Sequence, residues 1–268
     1  MNASFFGEIE VIARLPEADP VRPRPLLFVH GAYAAAWCWD EHFLPYFAKQ
    51  GYASYALSLS GHGGSRRREL LDSYSIDDYV DDLVEVANRM PGEPVLIGHS
   101  MGGMVVQKYL ERSSAPAAVL LASVPPQGLL GSALGLAFRK PGLMTDLNRM
   151  LGGGHPDPQG LRDALFHQPQ DEAKLMRYYE QMQPESLRAI WDMTLFNLPS
   201  PAALHRVPML ILGAEHDNLI PPDQVEMTAR TYELEAEIFP GMGHGMMLEA
   251  GWKDVASRIC KWLKSHRM

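Results

Sequence analysis

The stretch that decides the fold is VLIGHSMGGMVV, residues 95–106. Its first three residues are typical of a short buried strand, and Val105, Val106, Tyr109 and Leu110 follow helical spacing. Between the two stands Gly-x-Ser-x-Gly, which in this strand-turn-helix setting is a nucleophile elbow. The glycines are needed because a Cβ at either position would collide with neighbouring backbone. The pattern predicts a sharp turn that lifts the Ser100 hydroxyl out of the sheet at a helix start, where N–H groups favour negative charge.

Composition excludes several classes of protein. The chain has 268 residues, of which 46% are hydrophobic and 21% charged, enough for one large domain or a domain with an inserted lid. A net charge of −8 disfavours nucleic acid and anionic membranes as partners, because both need a basic face. Since no stretch reaches the ~18 apolar residues of a membrane span, no integral membrane segment is expected.

Cysteine usage bears on the compartment. Only Cys38 and Cys260 occur, whereas a secreted protein of this size would more often use several cysteines in bridges. Near the start of the chain, Phe5-Phe6 is cut off by Gly7-Glu8, so no signal peptide is expected. These features predict a reduced, cytoplasmic compartment.

Strand and helix patterns alternate along most of the chain, which predicts parallel βαβ units with right-handed crossovers. An early strand around 8–11 is expected at an edge of the sheet, and a helix is expected near 40–50. Ser75 and Asp78 form a capping box that begins another helix. Strand-like apolar runs lie at 26–29, 51–57, 95–97, 118–122, 208–213 and 236–240.

The pattern changes between 127 and 201, where apolar residues keep helical spacing and no strand-like run appears. This predicts a helical lid at 127–201, inserted into a core formed by 1–126 and 202–268. Its methionines either line an adaptable apolar pocket or only hold the lid helices together; they are Met144, Met150, Met176, Met182 and Met193. Trp39 is a further aromatic candidate for the pocket. The candidate substrate-binding residues are Tyr33, Trp37, Met144, Trp191 and Met193.

Three chemically complementary residues each follow a strand end, where the loops of a parallel sheet converge. In chain order they are Ser100, Asp217 and His244. A serine hydroxyl needs a base to take its proton, and the base needs a carboxylate to orient its ring and stabilise the imidazolium. As alternatives for the acid, Glu215 sits too close to the strand end and Glu249 follows the histidine on the next helix. Asp217 is therefore the predicted acid.

The oxyanion of such a reaction needs two fixed donors. The N–H of Met101 directly follows the nucleophile, and the N–H of Ala32 belongs to a loop that leaves an adjacent strand. His30 and His62 precede glycines in turns and are expected to bond loop backbone, and His99 is expected to support the elbow from a position pointing away from Ser100. The other histidines lack metal-ligand spacing, so neither a metal nor a cofactor is expected.

Taken together, His30-Gly31, Gly61-His62-Gly63, the elbow, Asp217 and Gly243-His244 resemble the α/β-hydrolase superfamily in their order over nearly the whole chain. The resemblance implies an α/β fold with a mostly parallel eight-stranded sheet, flanking helices and an inserted helical lid, in a protein similar to serine esterases and lipases. The loop from His30 to Trp39 also resembles that of plant methylesterases and hydroxynitrile lyases.

The resemblance most often implies ester hydrolysis. Ser100 argues against epoxide hydrolases and haloalkane dehalogenases, which attack with aspartate, and Gly31 argues against hydroxynitrile lyases. We expect a carboxylic-ester hydrolase that takes a small to medium ester with an apolar acyl or alcohol group through an acyl-enzyme on Ser100. The alternatives are a carbon–carbon bond hydrolase, a cofactor-free perhydrolase or a non-catalytic ligand receptor. A small-molecule substrate and a monomeric or homodimeric chain are expected.

Overall fold

The architecture is organised by one sheet of eight strands. A computed structural model describes residues 3–17, 22–140, 142, 145, 149 and 158–268. The strands are Ala3–Phe6 (β1), Ile9–Arg14 (β2), Leu26–Val29 (β3), Ser54–Leu57 (β4), Val95–His99 (β5), Ala118–Leu121 (β6), Met209–Ala214 (β7) and Ala236–Phe239 (β8). They are ordered β1-β2-β4-β3-β5-β6-β7-β8. The two pairs that contain β2 are antiparallel and the others are parallel. The predicted mostly parallel eight-stranded sheet is confirmed.

The prediction of an edge strand around 8–11 is wrong. β2 is hydrogen-bonded to β1 on one side and to β4 on the other, and its Ile9 and Val11 side chains are fully buried. The edge is β1. A tight turn at Gly7, which has a φ of +68°, folds residues 3–14 into a hairpin because glycine adopts this left-handed conformation without steric cost.

Helices cover both faces of the sheet. Phe28 points into one apolar cluster with Phe43, Phe47 and Ile259, whereas Leu27 points to the other face with the buried residues of two further helices. Alternation along a strand produces this division. The helices of the core are Trp37–Asp40 (α1), Phe43–Lys49 (α2), Ile76–Arg89 (α3) and Met101–Arg112 (α4), with a 3-10 helix at Arg68–Ser73.

Three of these helices test the local predictions. The capping box is formed, since the Ser75 hydroxyl accepts from the Asp78 N–H and the Asp78 carboxylate accepts from the Ser75 N–H. The single helix expected near 40–50 is instead α1 and α2, because the backbone leaves helical geometry at His42, where φ is −140°.

The segment between β6 and β7 is helical in its described part. It contains Leu130–Arg139 (α5), Pro158–Leu165 (α6), Glu172–Gln181 (α7) and Leu187–Trp191 (α8), followed by one π-helical turn at Asp192–Phe196 and a 3-10 turn at Pro201–Ala203. After β7 come Pro222–Thr231 (α9) and, after β8, Trp252–Ser265 (α10). None of the helices in the described ranges combines the length and apolar character needed to cross a bilayer. We call residues 127–201 the inserted segment.

Candidate active site

Ser100 occupies the turn between β5 and α4 with an unusual backbone conformation, φ 53° and ψ −119°. Such a conformation costs about 1–3 kcal/mol for a residue with a Cβ. Close packing maintains it. A Cβ on Gly98 would lie 2.4 Å from the carbonyl oxygen of Gly102, and a Cβ on Gly102 would lie 2.4 Å from the carbonyl oxygens of Val29 and His30. Both glycines of the elbow are therefore required by backbone contact, as predicted.

Asp217 and His244 meet at the carboxyl end of the sheet. The Nδ1 atom of His244 lies 2.7 Å from Oδ2 of Asp217, and both residues are buried. The other carboxylate oxygen, Oδ1, accepts from the N–H groups of Leu219 and Ile220, each at 2.8 Å. With Nδ1–H donating to Asp217, the lone pair of the ring is on Nε2. The structure thus brings together two of the three residues that the sequence singles out, Asp217 and His244.

Ser100 and His244 both line one cavity. Within the described residues, neither the Ser100 hydroxyl nor His244 Nε2 makes a hydrogen bond. Contacts of this kind are often long without substrate and tighten in the complex. Ser100 thus faces the same space as His244, and Asp217 lies behind the His244 ring, outside the cavity lining.

The two competing carboxylates lie elsewhere. Glu215 is at the surface, and its Oε2 accepts from the Gly241 N–H at 2.8 Å. Glu249 is fully buried, and its carboxylate accepts from the N–H groups of Gly243 and Gln168, each at 2.7 Å, and from that of His167. Glu249 therefore joins the loop before His244 to the inserted segment. No feature of the sequence indicated this contact, which joins residues about 80 positions apart.

The two predicted oxyanion donors lie in the loop after β3 and at the start of α4. Ala32 lines the cavity, Met101 begins α4 directly after Ser100, and neither N–H has an acceptor among the described residues. His30 Nδ1–H donates to the Gly31 carbonyl at 2.8 Å. Because that carbonyl and the Ala32 N–H belong to one planar peptide unit, His30 sets the direction of the Ala32 N–H.

His30 is neutral. Its Nε2 accepts from the Leu59 N–H at 3.0 Å, which requires the proton to be on Nδ1. Burial, aided by the nearby His62, lowers the pKa of His30 to about 3. His62 bonds backbone as well, through Nδ1 to the Ser60 carbonyl at 3.2 Å. Both histidines thus contact loop backbone, as predicted.

The His99 side chain contacts the backbone of His244. Its Nε2–H donates to the His244 carbonyl at 2.9 Å, and the two rings are 4.7 Å apart. Burial and the proximity of His244 hold the pKa of His99 well below its ordinary value. The ring is therefore a neutral donor that fixes the backbone of His244.

The cavity has a volume of about 580 Å³, within the range of small-molecule sites. Among the predicted substrate-binding residues, Tyr33, Trp37, Trp191 and Met193 line it, whereas Met144 lies outside the described residues. Met182 also lines the cavity. Apolar or aromatic lining residues that the sequence did not single out include Leu161, Leu165, Tyr178, Ile220, Met247 and Leu248.

Three further candidates for the cavity do not line it or lie outside the described residues. Trp39 is fully buried in the core, where its ring lies 5.0 Å from that of Phe28, because the first turn of α1 directs it toward the sheet. Met176 is 39% exposed and is absent from the lining. Met150 lies outside the described residues.

The chain is similar in sequence or in structure to several known proteins. A monoacylglycerol lipase from Mycolicibacterium smegmatis is 25% identical over 265 residues, 94% of this chain and 91% of the relative. Methylesterase 2 from Arabidopsis thaliana is 28% identical over 97 residues, 35% of this chain and 36% of the relative. The structure of a bromoperoxidase from Bacillus anthracis superposes with a TM-score of 0.74 at 17% identity, covering 98% of this chain and 99% of that chain.

The family-wide match decides the classification. A sequence model described as the alpha/beta hydrolase family matches residues 26–258, a range that contains the elbow, Asp217 and His244. The sheet order and the position of the elbow agree with it. This chain belongs to the alpha/beta hydrolase family.

Proposed function

We propose that this protein is a serine carboxylic-ester hydrolase whose substrate is a small to medium ester with an apolar acyl or alcohol group. One observation carries the proposal: the 2.7 Å contact between His244 and Asp217 lies at the cavity that Ser100 also lines. A serine hydroxyl is a weak nucleophile near neutral pH, and an oriented imidazole removes this limitation. The lipase and methylesterase names of two relatives support the same class of substrate.

The first half of the proposed reaction forms an acyl-enzyme. Ser100 Oγ attacks the ester carbonyl carbon while His244 Nε2 takes the hydroxyl proton, and Asp217 stabilises the resulting imidazolium. The carbonyl oxygen, now negative, accepts from the N–H groups of Ala32 and Met101. When the intermediate collapses, the bond to the alcohol oxygen breaks and His244 returns the proton to it. The alcohol leaves, and the acyl group stays on Ser100.

The second half releases the acid. A water molecule attacks the acyl carbonyl carbon, and His244 Nε2 takes one of its protons. The bond to Ser100 Oγ then breaks, the oxygen recovers a proton from His244, and the carboxylic acid leaves. The same two N–H donors stabilise the second oxyanion, so one arrangement serves both halves.

The cavity lining supports an apolar substrate group. Leu161, Ile190 and Met193 come from the inserted segment, and Ile220 and Met247 come from the core. Each buried CH₂ group of a substrate contributes about 0.8 kcal/mol of binding free energy. We therefore propose that residues 127–201 act as a lid over a core of 1–126 and 202–268, and that the lid limits the size of the substrate.

A panel of p-nitrophenyl esters from acetate to decanoate tests the proposal. The Ser100→Ala variant should lose at least about 10³-fold in kcat/KM while its circular dichroism and Tm stay native. The matched control is Ser114→Ala, which removes a hydroxyl from an exposed serine beyond the end of α4 and should behave as wild type. Turnover retained by a folded Ser100→Ala variant would reject the proposal. Carbon–carbon cleavage or peroxide-dependent halogenation faster than ester turnover would assign one of the other activities.

A further inference from the structure

A buried carboxylate in the inserted segment reaches the loop that carries the oxyanion donor. Glu185 lies between α7 and α8, and its side chain is fully buried. Its Oε1 accepts from the Tyr79 hydroxyl at 2.6 Å and from the Ser186 N–H at 2.8 Å. Its Oε2 lies 3.4 Å from the Tyr33 backbone nitrogen, which donates to it, and 3.2 Å from His62 Nε2.

His62 and Glu185 form an ion pair in which both side chains are fully buried. Burial opposes protonation of His62, but the adjacent Glu185 and the Ser60 carbonyl outweigh burial and raise the pKa of His62. Burial likewise opposes the charge on Glu185, but His62, Tyr79 and the Ser186 N–H lower the pKa of Glu185. His62 Nε2 and Glu185 Oε2 lie 3.2 Å apart, so the two opposite charges are in direct contact.

A buried ion pair contributes little net free energy to holding a lid on the core. The desolvation of two charges offsets much of their attraction, and well-packed apolar residues of similar volume often stabilise a protein as well or better. The remainder of the inserted segment already packs apolar side chains such as Ala189 and Met193 on the core. A contribution to stability therefore does not explain two buried charges at this position. A need to fix the backbone geometry of the contacted loop does explain them.

The backbone that Glu185 touches is strained. Tyr33 has a φ of +64°, a conformation that is rare for residues other than glycine. Its N–H donates to Glu185, and its carbonyl accepts from the Gln183 N–H at 3.0 Å. Both backbone groups of Tyr33 are thus held by the inserted segment. On the other side of Ala32, His30 holds the Gly31 carbonyl.

We propose that Glu185 is a positioning residue for the oxyanion hole. Seated on His62 and Tyr79, its carboxylate fixes Tyr33 and thereby directs the preceding N–H, that of Ala32, toward the oxyanion. The inserted segment then orients the Ala32 N–H, one of the two oxyanion donors, in addition to enclosing the cavity. This inference rests on the proposed ester hydrolysis, in which the Ala32 N–H stabilises the transition state.

The central test compares Glu185→Gln with a matched control. The control is Asp192→Asn, because Asp192 is a second buried carboxylate of the inserted segment whose Oδ2 accepts from a core backbone N–H, that of Ile76, at 3.1 Å. Asp192 is absent from the cavity lining. The measurements are kcat and KM for a short p-nitrophenyl ester, the affinity for an alkyl boronic acid that forms a tetrahedral adduct with serine, and Tm.

A misdirected oxyanion donor affects the transition state more than the bound substrate. We expect Glu185→Gln to lower kcat by at least about tenfold and to change KM by less than about threefold. Boronic acid affinity should fall by the same factor as kcat/KM. Asp192→Asn should lower Tm with wild-type kcat and boronic acid affinity. An unchanged kcat in Glu185→Gln, or kcat losses in both variants that follow Tm alone, would overturn the inference.

A milder variant covers the case in which Glu185→Gln does not fold. Tyr79→Phe removes one donor to the carboxylate and keeps the ion pair, so kcat should fall in the same direction by a smaller factor, again without a matching change in KM; an unchanged kcat overturns the inference. Failure of the proposed function is a different result. In that case wild type and Ser100→Ala would turn over esters equally, whatever the Glu185 variant does.

Discussion

His244 Nδ1 and Asp217 Oδ2 are 2.7 Å apart, and the rest of the Asp217 carboxylate is held by two backbone N–H groups in the turn after β7. The carboxylate therefore has one orientation in which it can face the ring. This fixes the proton of the imidazole on Nδ1 and keeps Nε2 available on the side of the cavity. The geometry depends on the negative charge of Asp217 and on its acceptor atom Oδ2. Substitutions can alter the two separately.

Asp217→Asn should lower kcat by about 10⁴-fold with little change in Tm. The amide is nearly isosteric with the carboxylate, but it can donate to Nδ1 and so stabilise the tautomer that leaves no lone pair on Nε2. Steady-state kinetics on a p-nitrophenyl ester measures the effect. Glu215→Gln is the control, because Glu215 contacts the Gly241 N–H, which a glutamine oxygen can also accept. A comparable loss in the control would mean that the acid is assigned wrongly.

Gly102→Ala should destabilise the fold. The added Cβ would lie 2.4 Å from two carbonyl oxygens, so the elbow has to shift, and the free energy of unfolding should fall by about 1–3 kcal/mol. Urea denaturation measures it. Gly131→Ala is the control: a Cβ there meets nothing within 4 Å, and alanine in helix α5 should change stability by no more than about 1 kcal/mol, in the stabilising direction.

The His62–Glu185 pair should make stability depend on pH at both ends of the range. The pKa of His62 is raised above its ordinary value of 6.5, so its contribution is full below that value and is lost as pH rises through the folded pKa. The pKa of Glu185 is lowered from its ordinary value of 4.5, so its contribution is full above that value and is lost as pH falls through the folded pKa.

These signs define the measurement. The Tm difference between wild type and Glu185→Gln should be largest between the two ordinary pKa values, 4.5 for Glu185 and 6.5 for His62, and should shrink toward both acid and alkaline pH. The neighbouring groups His30, Tyr33 and Tyr79 stay neutral across this window, since burial lowers the pKa of His30 to about 3 and raises the pKa values of the two tyrosines. A Tm difference that is constant with pH would show that the pair is not charged.

Ala164→Phe should shift the substrate preference toward esters with shorter acyl chains. Ala164 lines the cavity and is almost fully buried, so a larger side chain occupies volume that a long acyl chain would fill. The ratio of kcat/KM for octanoate to that for acetate should fall by at least about tenfold. The acetate ester serves as the internal control, because its acyl group is short enough to leave room for the added phenyl ring. An unchanged ratio would place the acyl group elsewhere.

The features that could be predicted from the sequence follow from local rules or from parallel strands. The elbow is local, because a Cβ on Gly98 or Gly102 would collide with backbone of the same turn or of the neighbouring strand. Asp217 and His244 follow strand ends that a parallel sheet gathers at one edge. In contrast, the β1 edge depends on a turn at Gly7, and the burial of Trp39 depends on which way the first turn of α1 faces the sheet.

The role of Glu185 could not have been predicted, because it depends on contacts between distant residues. The carboxylate meets Tyr33 across 152 positions and Tyr79 across 106. In the sequence, Gln183-Pro184-Glu185-Ser186 is polar and typical of an exposed turn. Burial of such a segment becomes evident only when the inserted segment is packed on the core. Glu249 illustrates the same limit, because its contacts with His167 and Gln168 also join distant parts of the chain.

The central claim is that Ser100 carries the acyl group. Reaction with a fluorophosphonate, followed by intact mass measurement and peptide mapping, tests it most directly. We predict one adduct, located on Ser100, absent from Ser100→Ala and strongly slowed in His244→Ala. A wild-type chain that stays unlabelled, or that is labelled on another residue at the same rate in Ser100→Ala, would contradict the account.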